Sequence, residues 1–288
     1  MNYRHAYHAG NFADVLKHAV LALVIEYLKR KPAPFRVIDT HAGPGRYALA
    51  SPEAGKTGEW RSGIARLIGP DSPPLTGEPA RLLAPYLAAV RTDNPAGALD
   101  FYPGSPLIAR RLLRETDTLI ANELHPEDQA ALAALFRRDA IAKVMHLDGW
   151  VALRSLLPPR ERRGVVLIDP PFEQEGEFDR LAQGLADGLE RFATGVYLAW
   201  YPIKDPKPVA RFHRTLQTAR HAAPLLCAEL MIRRGTDPER LNGCGLLIAN
   251  PPFTLEGELA LLLPELARRL AADKGSGHRL DWLAQPTG

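Results

Sequence analysis

The chain has 288 residues, 46% hydrophobic and 24% charged, with a net charge of +3. That is ordinary globular composition, enough for a full core in one elaborated α/β domain. Its only cysteines, Cys227 and Cys244, form no C-x-x-C or other metal-ligand spacing. Without a secretory segment both read as buried thiols of a reducing compartment, the cytoplasm. The N-terminus is polar and aromatic, so no secretory signal is expected. The longest apolar run, 19–25, is far too short to span a bilayer, and no membrane partner is expected. Arginines cluster at Arg110/Arg111/Arg114, Arg137/Arg138, Arg160/Arg162/Arg163 and Arg233/Arg234. Their forked guanidinium groups suit phosphate oxygens, which fits a polyanionic partner.

Residues 1–10 are dense in Tyr3, Arg4, His5, Tyr7 and His8, groups that can stack on bases and touch phosphates. Gly10-Asn11 then opens a helix over 12–30, with Asn11 as N-cap and Val15, Ala19, Ala22 and Ile25 on its apolar face. Residues 1–30 thus form an N-terminal extension and helix ahead of the first strand. That strand, 35–39, runs into Asp39-Thr40-His41-Ala42-Gly43-Pro44-Gly45. Two glycines just past a strand end let backbone approach a ligand closely. A dinucleotide fingerprint is not complete here, because Ala48 stands where the third glycine would be.

Over 50–98 proline and glycine rise, with a helix embedded at 79–91. This reads as a small, mainly helical insertion; long connections are usually functional or disordered, and position beside an active site favours a functional one. Ser105 and Pro106 fit the N-cap and first turn of a helix over 107–114. A second strand ends in Glu123, where a carboxylate can accept both ribose hydroxyls of a nucleoside. A third, 144–147, ends in Asp148-Gly149: an acceptor for an adenine amino group, then backbone with no side chain in the way.

The fourth strand, Val165-Val166-Leu167-Ile168, is apolar on both faces and runs straight into Asp169-Pro170-Pro171-Phe172. Asp169 sits at the carboxyl end, where open α/β sheets bind ligands. The two prolines stiffen the elbow and turn carbonyls outward. A carboxylate, the Pro170 carbonyl and the flat Phe172 ring suit a planar amino group on a heterocycle. A helix over 178–191 and a fifth strand over 195–200 follow. The last two strands, 225–232 and 245–250, are joined through the turn-rich 235–243 as an antiparallel hairpin. Asn250-Pro251-Pro252-Phe253 repeats the elbow's pattern but follows the final strand, and reads as a turn.

Several of these pieces carry a resemblance. Asp169-Pro170-Pro171-Phe172 looks like the (D/N)PP(Y/F/W) signature of amino methyltransferases that use S-adenosylmethionine, and D-x-x-x-G-x-G looks like the glycine loop of class I methyltransferases. With Tyr3-Arg4-His5, His8-Ala9-Gly10-Asn11, Asp14-Val15-Leu16-Lys17-His18, Asp39-Thr40-His41-Ala42-Gly43, Tyr102-Pro103-Gly104-Ser105-Pro106-Leu107-Ile108-Ala109-Arg110 and Leu167-Ile168-Asp169-Pro170-Pro171, the whole chain resembles the RlmJ family of bacterial 23S ribosomal RNA adenine-N6 methyltransferases. The resemblance implies one Rossmann-like domain over 1–288, with a mostly parallel seven-stranded sheet and an antiparallel last strand. It implies that Lys17, His18, Asp39, His41, Gly43, Ser105, Glu123, Asp148, Gly149 and Asp169 surround S-adenosylmethionine. It implies Asp169, Pro170 and Phe172 as the catalytic elbow, with Tyr3, Arg4 and Phe172 toward the RNA. Phe172 departs from the tyrosine of the relative best known to us, so stacking is kept and a hydroxyl is lost. The expected reaction is direct methyl transfer to N6 of one adenine, flipped from its stack, with no metal. The expected partner is 23S rRNA, free of protein or early in assembly, met by a monomer. DNA adenine, a glutamine amide of a protein, or RNA binding by a vestigial site are the alternatives.

Overall fold

The computed structural model describes residues 7–218 and 223–286. In chain order the elements are α1 (Phe12–Lys29), β1 (Arg36–Asp39), β2 (Arg46–Ala48), α2 (Pro52–Thr57), α3 (Ala65–Ile68), α4 (Gly77–Arg91), β3 (Phe101–Pro103), α5 (Ser105–Leu112), β4 (Thr118–Asn122) and α6 (Pro126–Phe136). They continue with β5 (Ala142–Met145), α7 (Gly149–Ser155), β6 (Gly164–Ile168), α8 (Glu177–Arg191), β7 (Val196–Ile203), α9 (Pro206–Thr218), β8 (Leu225–Met231), β9 (Gly243–Ala249), α10 (Leu255–Leu270) and β10 (Gly277–Ala284).

The main sheet has eight strands in the order β10-β8-β9-β7-β6-β1-β4-β5. From β5 to β7 neighbouring strands are parallel. The hairpin β8–β9 lies antiparallel beside β7, and β10 adds antiparallel to β8. The sequence led us to expect seven strands; β10 is the eighth. It is an edge strand, largely open to solvent, so it carries no apolar run to mark it.

β6 lies at the heart of the sheet, and all of its residues are buried. The period of two sends Val165 and Leu167 into the core under α1, α4, α5 and α10, and Val166 and Ile168 into the core under α8 and α9. A strand covered on both faces must be apolar throughout, as this one is.

α1 is a core element more than an appendage. Asn11 caps it, its side chain accepting from the Ala13 and Asp14 N–H groups. Val20, Leu21, Val24 and Ile25 are fully buried. The helix packs on α4, α5 and α10 and on β6 and β9. The segment between β2 and β3 supplies α2, α3 and α4, and the antiparallel pair β2–β3 closes its base. α4 places Leu83, Tyr86 and Val90 in the same core as α1. The rest of that segment grips the start of α1. Glu59 bonds His8 Nδ1 at 3.0 Å and Asn11 Nδ2 at 3.0 Å, and the Ile64 N–H donates to the Gly10 carbonyl at 2.8 Å.

Gly63 is where this grip is tightest, because a Cβ there would run into the backbone of Gly10 and Asn11. Neither backbone can rotate away, so Gly63→Ala is expected to cost about 1–3 kcal/mol, the usual range for overpacking. Urea denaturation should show a lower midpoint with an unchanged slope; an unchanged midpoint would contradict the grip.

Candidate active site

β6 ends at Ile168, and Asp169, Pro170 and Pro171 then line a cleft of about 1040 Å³, its mouth included. Lys17, His18, His41, Gly43, Ser105, Glu123, Asp148 and Gly149 share that lining. The residues expected around a nucleoside thus converge from α1 and from the ends of β1, β4, β5 and β6. Residues that the sequence did not single out also line it, among them Tyr47, His125, Trp150, Gln174, Glu177 and Arg180. Trp150 follows Asp148-Gly149 directly, and Glu177 opens the helix after the elbow; adjacency was the one signal available for either. Tyr3 and Arg4 lie outside the described residues.

Asp39, Ser105 and Phe172 are placed otherwise than expected. Asp39 does not line the cleft; it is buried beneath it, accepting from Ser105 Oγ at 2.6 Å and from the His41 N–H at 3.3 Å. Burial raises its carboxyl most, and the nearby Asp169 adds to this, so despite the Ser105 hydrogen bond it is pushed up from 3.8 to about 7. Ser105 in turn does not cap α5. Gly104, which has no side chain to bond the helix, holds the N-cap position, and the Ser105 hydroxyl donates to Asp39.

Phe172 also points away from the cleft. Its φ of +52° lies in the left-handed region, which turns the ring out of the elbow's plane. There it meets Phe178 edge-on at 5.0 Å and Trp200 at 5.9 Å. It lines a neighbouring cavity of about 950 Å³ with Phe178, Phe212, Pro202, Lys204 and Arg211. Gln174 and Glu177 border both spaces, so the elbow separates two adjoining chambers.

The glycine loop is held open by its own bonds. Gly43 and Gly45 have φ of +62° and +80°, which side chains rarely adopt. Glu123 Oε2 accepts from the Gly43 N–H at 2.8 Å and Oε1 from the His125 N–H at 2.7 Å. A carboxylate has about four acceptor positions, so this one keeps room for a ligand. Burial raises the Glu123 carboxyl. β5 stops at Met145, earlier than expected, and Asp148 caps α7 instead, Oδ1 accepting from the Trp150 and Val151 N–H groups at 3.0 and 3.1 Å. Gly149 has no room for a Cβ because the His41 imidazole rests against it. Burial pushes His41 down to about 4, so its ring is neutral near pH 7. Trp150 meets that ring edge-on at 5.6 Å.

Among the described residues the most buried cation is Lys17. Its Nζ lies 2.5 Å from Asp169 Oδ2 and 2.9 Å from Asp14 Oδ1. Burial works against the ammonium, but the two carboxylates outweigh it and hold the group above the ordinary lysine range. Beside it, His18 Nδ1 lies 2.7 Å from the Tyr102 hydroxyl, which lies 3.0 Å from that of Tyr86.

The second elbow is built differently. β9 runs antiparallel to β7, so Asn250 emerges at the opposite edge of the sheet from Asp169. Its amide donates to the Ala193 and Gly195 carbonyls at 2.8 Å, which is the work of a turn. Among the described residues one group has metal-ligand spacing: His213, Cys227 and Glu229. The Tyr201 hydroxyl lies 2.9–3.1 Å from all three, and none of them lines the cleft.

A sheet of this order, a glycine loop and a prolyl elbow sharing one cleft agree with what known proteins show. The family described as ribosomal RNA large subunit methyltransferase D, RlmJ, matches residues 32–284. The chain belongs to this family. Ribosomal RNA large subunit methyltransferase J of Escherichia coli is 43% identical over 284 residues, covering 98% of this chain and 99% of that protein. Its Haemophilus influenzae counterpart is 39% identical with the same coverage. A crystal structure of a Legionella pneumophila protein is similar with a TM-score of 0.84 and 32% identity, covering 95% of this chain and 98% of that one. The RlmJ-type fold, and with it a methyltransferase activity, is therefore shared along nearly the whole chain.

The Asp39 carboxyl gives a pH test of this description. Its folded value near 7 lies above the unfolded value, so the stability it contributes is complete below about pH 4 and is lost as pH rises through 7. Asp39→Asn cannot titrate. The stability of the unmodified chain relative to this variant should fall between about pH 4 and 7, by on the order of 4 kcal/mol, and be flat above. Denaturant melts at a series of pH values measure this, and a flat difference would contradict the assignment.

Proposed function

We propose that this chain methylates the exocyclic N6 of one adenine in 23S ribosomal RNA, using S-adenosylmethionine. The observation that carries the reading is the Asp169-Pro170 elbow on the wall of the same cleft as the Gly43 loop and the carboxylates of Glu123 and Asp148. The cleft fits the cofactor. Glu123 has acceptor positions left for ribose hydroxyls, and Asp148 keeps Oδ2 clear of its capping bonds for an amino group. Gly43, His41, Ser105 and Gly149 close around the remaining space, and His18 and Lys17 form the wall beneath Asp169. When bound there, S-adenosylmethionine supplies an electrophilic sulfonium methyl group.

The chain's own residues do the rest. The N6 lone pair of adenine is delocalised into the ring. Asp169, through positions not taken by Lys17, and the Pro170 carbonyl accept the two N–H bonds, which favours a pyramidal, nucleophilic nitrogen. The base reaches them only after leaving its stack. Phe172 then offers an aromatic face from the adjoining chamber. Transfer is direct: neither cysteine lines the cleft, and burial pushes the Cys227 thiol up to about 12, so no thiolate stands ready to carry the methyl group. No metal is required by this chemistry. The substrate is 23S rRNA free of protein or early in assembly, where a base can leave its stack, and the enzyme acts as a cytoplasmic monomer. Among the described residues, no helix is long and apolar enough to cross a membrane.

The test is methyl transfer from labelled S-adenosylmethionine to protein-free 23S rRNA, duplex DNA and a release-factor protein. RNA alone should be labelled. Asp169→Ala should lower the rate by about 10²–10⁴-fold while S-adenosylhomocysteine still binds. Unchanged transfer in that variant defeats the role of Asp169, and preferential labelling of DNA or protein defeats the substrate.

A further inference from the structure

We infer that Asp14, a residue outside the cleft, positions the Asp169 carboxylate by holding Lys17 against it. The inference rests on the reading of Asp169 as the group that receives the amine.

Asp14 and Lys17 lie three residues apart on the first turns of α1, so their side chains share one face. Asp14 Oδ1 is 2.9 Å from Lys17 Nζ, and Oδ2 accepts from the Gly10 N–H at 2.8 Å. Asp14 is 1% exposed and Lys17 3%. Gly10 is itself fixed, because its carbonyl accepts from Ile64. The Asp14 carboxylate is therefore tied at both oxygens, one to rigid backbone and one to the ammonium.

Lysine carries its charge on a flexible four-carbon stem. With Asp169 as its sole partner, the ammonium could follow that carboxylate or swing away from it. Held by Asp14 as well, it becomes a fixed point, and Asp169 must present Oδ2 to it. The other acceptor positions of Asp169 are then aimed, before any base arrives, at the space where the amino group would sit. Preorganisation of this kind matters because a misplacement of 1 Å can cost about 10²-fold in rate. A simpler role for Asp14 exists, since an acidic residue in the first turn stabilises a helix. The two roles predict different kinetics.

The experiment is a double-mutant cycle on the full-length enzyme with protein-free 23S rRNA, following kcat, the RNA KM and S-adenosylhomocysteine affinity. Asp14→Asn keeps an oxygen for the Gly10 N–H and removes the charge. It should lower kcat about 10- to 100-fold, with KM and S-adenosylhomocysteine affinity within about 3-fold. Added to Lys17→Met it should cost less than about 2-fold more, because Asp14 acts through the ammonium. An unchanged kcat overturns the inference. So does an equal loss in both backgrounds, or a fall in cofactor affinity that matches the fall in kcat, since a helix-stabilising role gives those results. Should Asp14→Asn not fold, Asp14→Glu keeps the charge but displaces it by one methylene. It should lower kcat alone, and wild-type kcat there overturns the inference. Failure of the wild-type enzyme to methylate the RNA would instead defeat the functional reading itself.

Discussion

A buried ammonium between two carboxylates ties this structure together. An unpaired charge in the interior costs far more than a folded domain can spare, so Lys17 is tolerable only with Asp14 and Asp169 beside it. The same pairing joins the first helix to the end of the central strand. α1 can therefore lie sunk in the core, its apolar residues packed among those of α4, α5 and α10. The pairing also explains the grip of the β2–β3 segment on Gly10 and Asn11, because whatever moves the start of α1 moves a charge in the site.

Around that triad the sheet supplies order. Parallel strands β1, β4 and β6 bring Asp39, Glu123 and Asp169 to one edge, where the chain must cross back over the sheet and leaves a crevice. Backbone N–H groups and hydroxyls hold the acids: Ser105 bonds Asp39, Gly43 and His125 bond Glu123, and the first turn of α7 bonds Asp148. Lys17 alone among them brings a cation. The elbow then divides the space in two. Asp169 and Pro170 line the cleft, and Phe172 faces a chamber walled by Phe178 and Phe212 and edged by Lys204 and Arg211.

Much of this was legible in the sequence because strands buried on both faces must be apolar and ligand sites follow their ends. Val165 to Asp169 shows this plainly, as do the glycines of the first loop. The four acids were found for the same reason, although Asp39 proves to support the floor and not to line it. What stayed hidden depends on contacts between distant parts of the chain. The Ser105 hydroxyl looks like an ordinary cap until Asp39, 66 residues away, is brought to it. Asp14 looks like a first-turn acid until Asp169 arrives. The direction of the Phe172 ring follows from one left-handed φ, which no spacing reveals. β10 was missed because an exposed edge strand has no apolar run to mark it, and its partner, β8, is 46 residues or more earlier in the chain.

This cleft is proposed to serve an adenine amino group of ribosomal RNA. Mass-spectrometric mapping of methylated nucleosides in 23S rRNA from cells with and without the gene tests that role most directly. One N6-methyladenosine should disappear with the gene and return with the wild-type protein, but not with Asp169→Ala. An unchanged set of N6-methyladenosines in cells without the gene would contradict it.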